Sequence, residues 1–191
     1  MATEEPKYSV LEKESPFELR SYEPMILAEV QVDGDLDEAS SQGFRLIAAY
    51  IFGQNQASQK MAMTAPVTID EQSVKSEKIA MTAPVGVESS AGKWTVSFVM
   101  PSQYTMETLP KPLNPTVRLR QIPATKRAVI TFSGFYSPQK VAEKTLELDA
   151  WMKARNLQAN GSPHFARYNP PWTLPFMRRN EVMLNVRDEV K

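Results

Sequence analysis

Apolar and polar positions alternate over Tyr8 to Glu14 and again over Phe17 to Tyr22, where Phe17 and Leu19 interleave with Glu18 and Arg20. Period two predicts short strands there. Met25 to Val32 is a third strand, closed by the turn pair Asp33-Gly34. The period then lengthens. Leu36, Ala39, Gly43, Leu46/Ile47 and Tyr50/Ile51 recur at helical spacing up to Gly53, with Asp35 or Asp37 placed to cap the helix. Trp94, Val96, Phe98 and Met100 alternate with Thr95, Ser97 and Val99, a half-buried strand that Pro101 ends. Beyond the proline-spaced stretch 109–115 the plan starts again. Val117 to Arg120 and Ala128 to Ser133 read as strands. Ser137-Pro138 opens a helix lined by Val141, Thr145, Leu148, Trp151 and Met152, running to about Asn156. Asn160-Gly161 punctuates its exit, and Val182, Leu184 and Val186 mark a last strand.

Two repeats lie inside this pattern. At an offset of one hundred positions Phe17-Glu-Leu-Arg20 faces Val117-Arg-Leu-Arg120, Ala28 faces Ala128 and Gly34 faces Gly134. Each half therefore reads strand, strand, helix, strand. The expected class is α+β: a distorted antiparallel β-barrel built from two pseudo-twofold-related halves, about 7–100 and 116–187, each with one flanking helix, in a single domain over 1–191. The second repeat is local. Lys60-Met-Ala-Met-Thr-Ala-Pro-Val67 returns as Lys78-Ile-Ala-Met-Thr-Ala-Pro-Val85, differing only where Met61 meets Ile79. Its alternation predicts a ribbon of two paired strands, with Pro66 and Pro84 at a strand end, an edge or a bulge.

Composition then removes chemistry. Twenty-two basic residues balance twenty-two acidic ones, so no net field recruits nucleic acid or anionic lipid, and a small hydrophobic ligand is the expected partner. With no cysteine, thiolate nucleophiles, iron–sulfur clusters and cysteine zinc sites are excluded. The polar, acidic N-terminus is no secretory signal and no apolar run is long enough to span a bilayer, so membrane insertion is not expected and the cytoplasm is. The single histidine, His164, leaves no room for a histidine-based triad or a multi-histidine metal site. No catalytic residue and no metal ligand is assigned.

Arg118 and Arg120 on one strand, and Arg178-Arg179 before the last, are able to hold carboxylates bidentately, with salt bridges inside the fold as the competing use. The stretch Tyr168-Asn-Pro-Pro-Trp-Thr-Leu-Pro-Phe-Met177 differs from the rest: Trp172, Leu174, Phe176 and Met177 are held among three prolines on backbone that cannot be helical. It is either a cap on the sheet or one wall of an apolar pocket, with the first helix and the methionine-rich ribbon as the other.

Met-Thr-Ala-Pro-Val after a polar loop, Trp94 to Pro101, Ser133-Gly134-Phe135, and Tyr168-Asn-Pro-Pro leading to Arg179-Asn-Glu181 together resemble the SOUL family of haem-binding proteins over about residues 7–187. The resemblance implies a distorted barrel of two helix-bearing halves, and haem or another tetrapyrrole held in an apolar cleft without turnover. The axial histidine described in that family falls on Ser21, and the methionine and basic positions that contact haem on the first helix fall on Phe44, Ser41 and Ala49. The ligand-contacting set expected here is Phe44, Arg45, Ile47, Ile51, Met63, Trp172, Leu174, Phe176 and Arg178. Two alternatives stand beside it: a generic small-molecule effector module that does not use haem, and a tetrapyrrole-modifying enzyme working through His164, Tyr168 or a carboxylate.

Overall fold

The computed structural model describes residues 4–57, 76–90, 92–170 and 172–187. Eleven strands and two α-helices are seen there: β1 (Tyr8–Glu14), β2 (Phe17–Tyr22), β3 (Met25–Val32), α1 (Leu36–Ile51), β4 (Asn55–Gln56), β5 (Val85–Ser90), β6 (Lys93–Val99), β7 (Lys111–Pro112), β8 (Arg118–Ile122), β9 (Thr125–Phe132), α2 (Pro138–Lys153), β10 (Ala159–Arg167) and β11 (Asn180–Val186). Both helices start where their caps say. Asp35 accepts from the amides of Asp37 and Glu38 in a capping box, while Ser137 accepts from Lys140 with Pro138 in the first turn. Gly34 and Gly134 precede these caps with φ of 111° and 95°, a conformation that glycine adopts without steric cost.

Nine strands make one antiparallel sheet in the order β1-β2-β9-β11-β10-β5-β6-β3-β8. Without β1, the order reads identically from both ends when β2 exchanges with β8, β3 with β9, β5 with β10 and β6 with β11. The opening strand of each half pairs with the other half's sheet: β2 lies on β9, and β8 on β3. No ladder joins β1 to β8 among the described residues, so the sheet is a large antiparallel one whose ladders do not close into a barrel there.

Two strands of the large sheet, and the two-residue pair β4 and β7, are not predicted by the pattern. In β10 the turn-forming run Asn160-Gly-Ser-Pro163 sits inside the strand, where the pairing with β11 shifts register between Asn160 and His164. A bulge absorbs residues that would otherwise signal a loop. In β5, Gly86 and the serines hide the alternation, but the strand pairs with both β6 and β10. Each half is thus strand, strand, helix, strand, strand. The first Met-Thr-Ala-Pro copy lies outside the described residues. The second is no ladder strand: Ile79 bonds the last turn of α1 through Ile51 O, Thr82 forms one isolated parallel bridge to Glu4, and Pro84 directly precedes β5. Ile79, Thr82 and Ala83 are buried, so the segment packs as an irregular strap instead of alternating.

Opposite faces of the sheet are finished differently. Even-numbered positions of β3 and β6, including Ala28, Val30, Val96 and Phe98, meet α1 through Ala39, Ile47 and Ile51. Ala128, Ile130, Val182, Leu184 and Phe165 meet α2 through Leu148, Trp151 and Met152. Each fully buried large side chain here contributes about 1.5–3 kcal/mol. Gly43 lets α1 approach β6, since a Cβ there would stand 2.5 Å from the Val96 side chain. Among the described residues the other face carries no helix, and its apolar cluster is the small one of Tyr22, Val129, Ala166 and Met183.

Candidate functional site

On the helix-bearing side, the expected ligand residues separate by exposure. Ile47 and Ile51 are wholly inside the core beneath α1, so they fix the helix and do not reach its outer surface. Phe44 is 37% exposed, with its ring 5.5 Å from that of buried Phe98. Arg45 beside it is exposed. Met63 lies outside the described residues. Trp172, Leu174 and Phe176 are 84%, 55% and 73% exposed; they form no wall packed on α1.

They form a surface of their own. The stretch 172–178 is tied down by Thr173 N to Pro170 O, by a short 3-10 turn at Pro175–Met177, and by Gly134 N to Pro175 O. That last bond sets Phe135, itself highly exposed, beside the loop, with the Arg178 guanidinium 5.1 Å from its ring centroid and Arg178 Nε donating to Thr173 O. The patch connects to α1 through Tyr136, whose hydroxyl donates to Asp37 Oδ1 and accepts from Arg167. Asp37, Ser41 and Phe44/Arg45 lie along one stripe of the helix, a run of about 10 Å at 1.5 Å per residue. A surface band thus runs from Phe176, Trp172 and Phe135 with Arg178, across Tyr136, Asp37 and Ser41, to Phe44 and Arg45 on α1. Clusters of this kind on a folded surface mark binding sites.

Ser21, the position of the family's axial histidine, lies on β2 among the half-buried side chains that alternate with buried Arg20 and Tyr22. The one histidine is elsewhere. His164 is in β10, not in a loop, and lines a cavity of about 260 Å³ on the helix-free face. That volume is near the lower end of ligand pockets, which run from roughly 300 Å³ upward. Residues from β2 and from β8, at opposite ends of the sheet, line it together, so the sheet curls around this space.

Its polar groups form a chain. Arg127 Nε donates to Asn185 Oδ1 at 3.0 Å, which turns the Asn185 amide nitrogen toward His164 Nε2 at 3.4 Å; His164 Nδ1 then faces Glu88 Oε2 at 3.3 Å. Burial, together with the nearby Arg127 and Arg120, lowers the His164 pKa to about 4. At neutral pH the ring is uncharged, accepts at Nε2 and carries its proton on Nδ1 toward Glu88. Burial pushes the Glu88 carboxyl up. Arg120 holds Glu29 at 2.9 Å through both Nε and a terminal nitrogen, the intramolecular use foreseen for it.

Beside the cavity is a closed network. Arg20 meets Glu181 bidentately, both bonds 3.0 Å, and also donates to Tyr22; Tyr168 donates to Glu181 at 2.6 Å. Burial, and then the Glu181 carboxylate, push the Tyr168 hydroxyl far up, and it stays protonated. Sequence reasoning passed over Arg20, Glu88, Arg127, Glu181 and Asn185. The signal was the polar half of each alternation, as in Glu181, Met183, Asn185, which reads as a solvated face.

The family described as SOUL heme-binding protein matches residues 3–77 and 69–185. Heme-binding protein 2 of Homo sapiens is 29% identical over 98% of this chain and 88% of its own length, and that of Mus musculus is 28% identical over 91% and 79%. Among solved structures, the EcmrR C-terminal domain superposes with a TM-score of 0.63 at 9% identity, covering 94% of this chain and 98% of that one. A hydrolase from Listeria innocua gives 0.57 at 16% identity, covering 90% and 91%. At such identities these two share the fold alone. The chain belongs to the SOUL heme-binding protein family.

Proposed function

We propose that this member of the family binds haem or a related tetrapyrrole without turning it over, as a carrier or buffer, on the aromatic band between the Pro175–Met177 loop and the outer face of α1. The observation that supports this reading is the band itself: Phe44, Phe135, Trp172 and Phe176 exposed along one side, with Arg45 and Arg178 at its ends. A flat apolar macrocycle stacks on exposed rings, and guanidinium groups suit the carboxylates on its rim. Each such charged hydrogen bond contributes about 1.5–3 kcal/mol. The band fits the macrocycle but supplies no histidine to iron, because His164 lines the opposite face of the sheet. Binding by contact with the ring, with metal-free porphyrin bound as well as the iron form, follows from that.

Titration with haemin, followed by the Soret band and by tryptophan emission, tests it. Saturable binding with quenching that falls sharply in Trp172→Leu is expected. An unchanged Soret band at micromolar haemin would sink the reading.

A further inference from the structure

We propose that residues 60–72 compete with residues 78–90 for one place in the fold, so that the chain exchanges between two arrangements shifted by eighteen positions, the one described above being the more populated. This does not rest on the tetrapyrrole reading.

The likeness between the two segments continues past Val67 and Val85. Thr68-Ile-Asp70 follows the first octapeptide where Gly86-Val-Glu88 follows the second, so a branched apolar residue and then an acid return in the same order. The two stretches that match the family overlap inside this repeat. Each holds one complete octapeptide, 60–67 within 3–77 and 78–85 within 69–185.

Contacts of the second copy define the place. Ile79 is buried and its amide bonds Ile51 O at the end of α1, Thr82 Oγ1 donates to Val99 O, and the amide of buried Ala83 bonds Glu4 O. Val85 to Glu88 then pair with β6 on one side and β10 on the other. These contacts use backbone atoms or side chains that both copies share, except at Ile79, Gly86, Val87 and Glu88. Met61 in the Ile79 position is an unbranched apolar chain that adapts to the space, and Ile69 adds one methylene at Val87. Thr68 fits less well. A Cβ at Gly86 would stand 2.8 Å from Ser97 Oγ, so that hydroxyl must turn away. This mismatch favours the second copy without barring the first. The chain reaches in either case: residues 52–60 join Ile51 to Met61 in place of 52–78, and 73–92 lead into β6 in place of 91–92. Closure entropy changes only with the logarithm of loop length, so moving eighteen residues from one connection to the other alters little.

The exchange is felt on the helix-free face. Gly86 and Glu88 line its cavity, and Glu88 faces His164. In the shifted arrangement the shorter Asp70 faces the imidazole and the Thr68 side chain takes up cavity space.

Val87 separates the copies, because it is 2% exposed and Ile69 is its counterpart. Val87→Asp, Ile69→Asp and the double variant are compared by thermal unfolding. Ile69→Asp is expected to melt with the parent, Val87→Asp less than about 5 °C lower, and the double variant more than about 10 °C lower, since only the last has no intact copy. Val87→Asp as damaging as the double variant overturns the proposal. Rescue of Val87→Asp that needs high protein concentration overturns it in favour of exchange between chains. The ring resonances of the single histidine report which acid faces it. Adding Asp70→Asn is expected to move them in Val87→Asp and to leave the main signals of the parent in place; signals in Val87→Asp that ignore Asp70→Asn overturn the proposal. Thr68→Gly, which relieves the contact with Ser97, is expected to raise a second set of His164 signals at the positions seen in Val87→Asp, and a single unchanged set counts against the exchange.

Discussion

Two arginines face each other across β2 and β9, and their surroundings divide the helix-free side in two. Around Arg20 every strong acceptor is used: Glu181 lies wholly buried between Arg20, Tyr168 and Thr131, and Tyr22 and Tyr8 close over the guanidinium. Around Arg127 the groups are more thinly bonded, at 3.3 and 3.4 Å for the His164 contacts, and they border open space. A saturated network is structural, since breaking it strands a charge; the looser one borders open space and holds its charges apart.

Mutation separates the two. Glu181→Gln removes the bidentate, wholly buried anion of Arg20 and leaves it only the half-buried Glu18 at 2.7 Å, and is expected to cost about 3–5 kcal/mol in urea unfolding. A loss below 1 kcal/mol would mean that the closed end is no more structural than the open one.

Acid acts on the open end. His164 titrates near 4 in the native state but near 6.5 when unfolded. Between those values the unfolded chain takes up a proton that the native ring refuses, so stability falls as pH drops from 6.5 to 4, by about 3 kcal/mol in all. Glu88, raised by burial, works in the opposite sense, and Arg120, Arg127 and Glu29 face the same group. Comparison with His164→Gln isolates the imidazole: the variant should lose this slope, and an unchanged slope would assign it elsewhere.

On the helix-bearing side, Gly43→Ala pushes a methyl group into Val96 and is expected to cost about 1–3 kcal/mol by thermal unfolding. A neutral result would show that α1 slides freely over β6. The smallest effect is expected at Arg127→Met, within about 0.5 kcal/mol of the parent, since no carboxylate lies within hydrogen-bonding distance of Arg127 among the described residues and Glu88 acts on it at longer range.

The fold was legible where one face of a strand or helix is apolar and the other polar. Positions 8–14, 17–22 and 25–32 came out as strands with those bounds, and Asp35 and Ser137 cap as their spacing says. It failed where local residue types disagree with tertiary pairing: Gly161 and Pro163 in β10, Gly86 in β5, and the Ile79–Pro84 strap whose alternation is not used. Of the residues expected to contact a ligand, Trp172, Phe176 and Phe44 are exposed rings, whereas Ile47 and Ile51 are core, because helical spacing cannot tell the inner stripe from the outer one. The cavity was illegible because its lining comes from eight strands, and a polar position facing a curled sheet looks the same in sequence as one facing water.

Which side of the sheet receives the tetrapyrrole is the point on which the account turns, and haemin titration of two variants addresses it directly. His164→Gln should develop the Soret band of the parent with the same affinity, while Phe135→Ser combined with Phe176→Ser should bind at least tenfold more weakly, roughly the loss of two stacked rings. A Soret band lost in His164→Gln and retained in the paired phenylalanine variant would contradict the account.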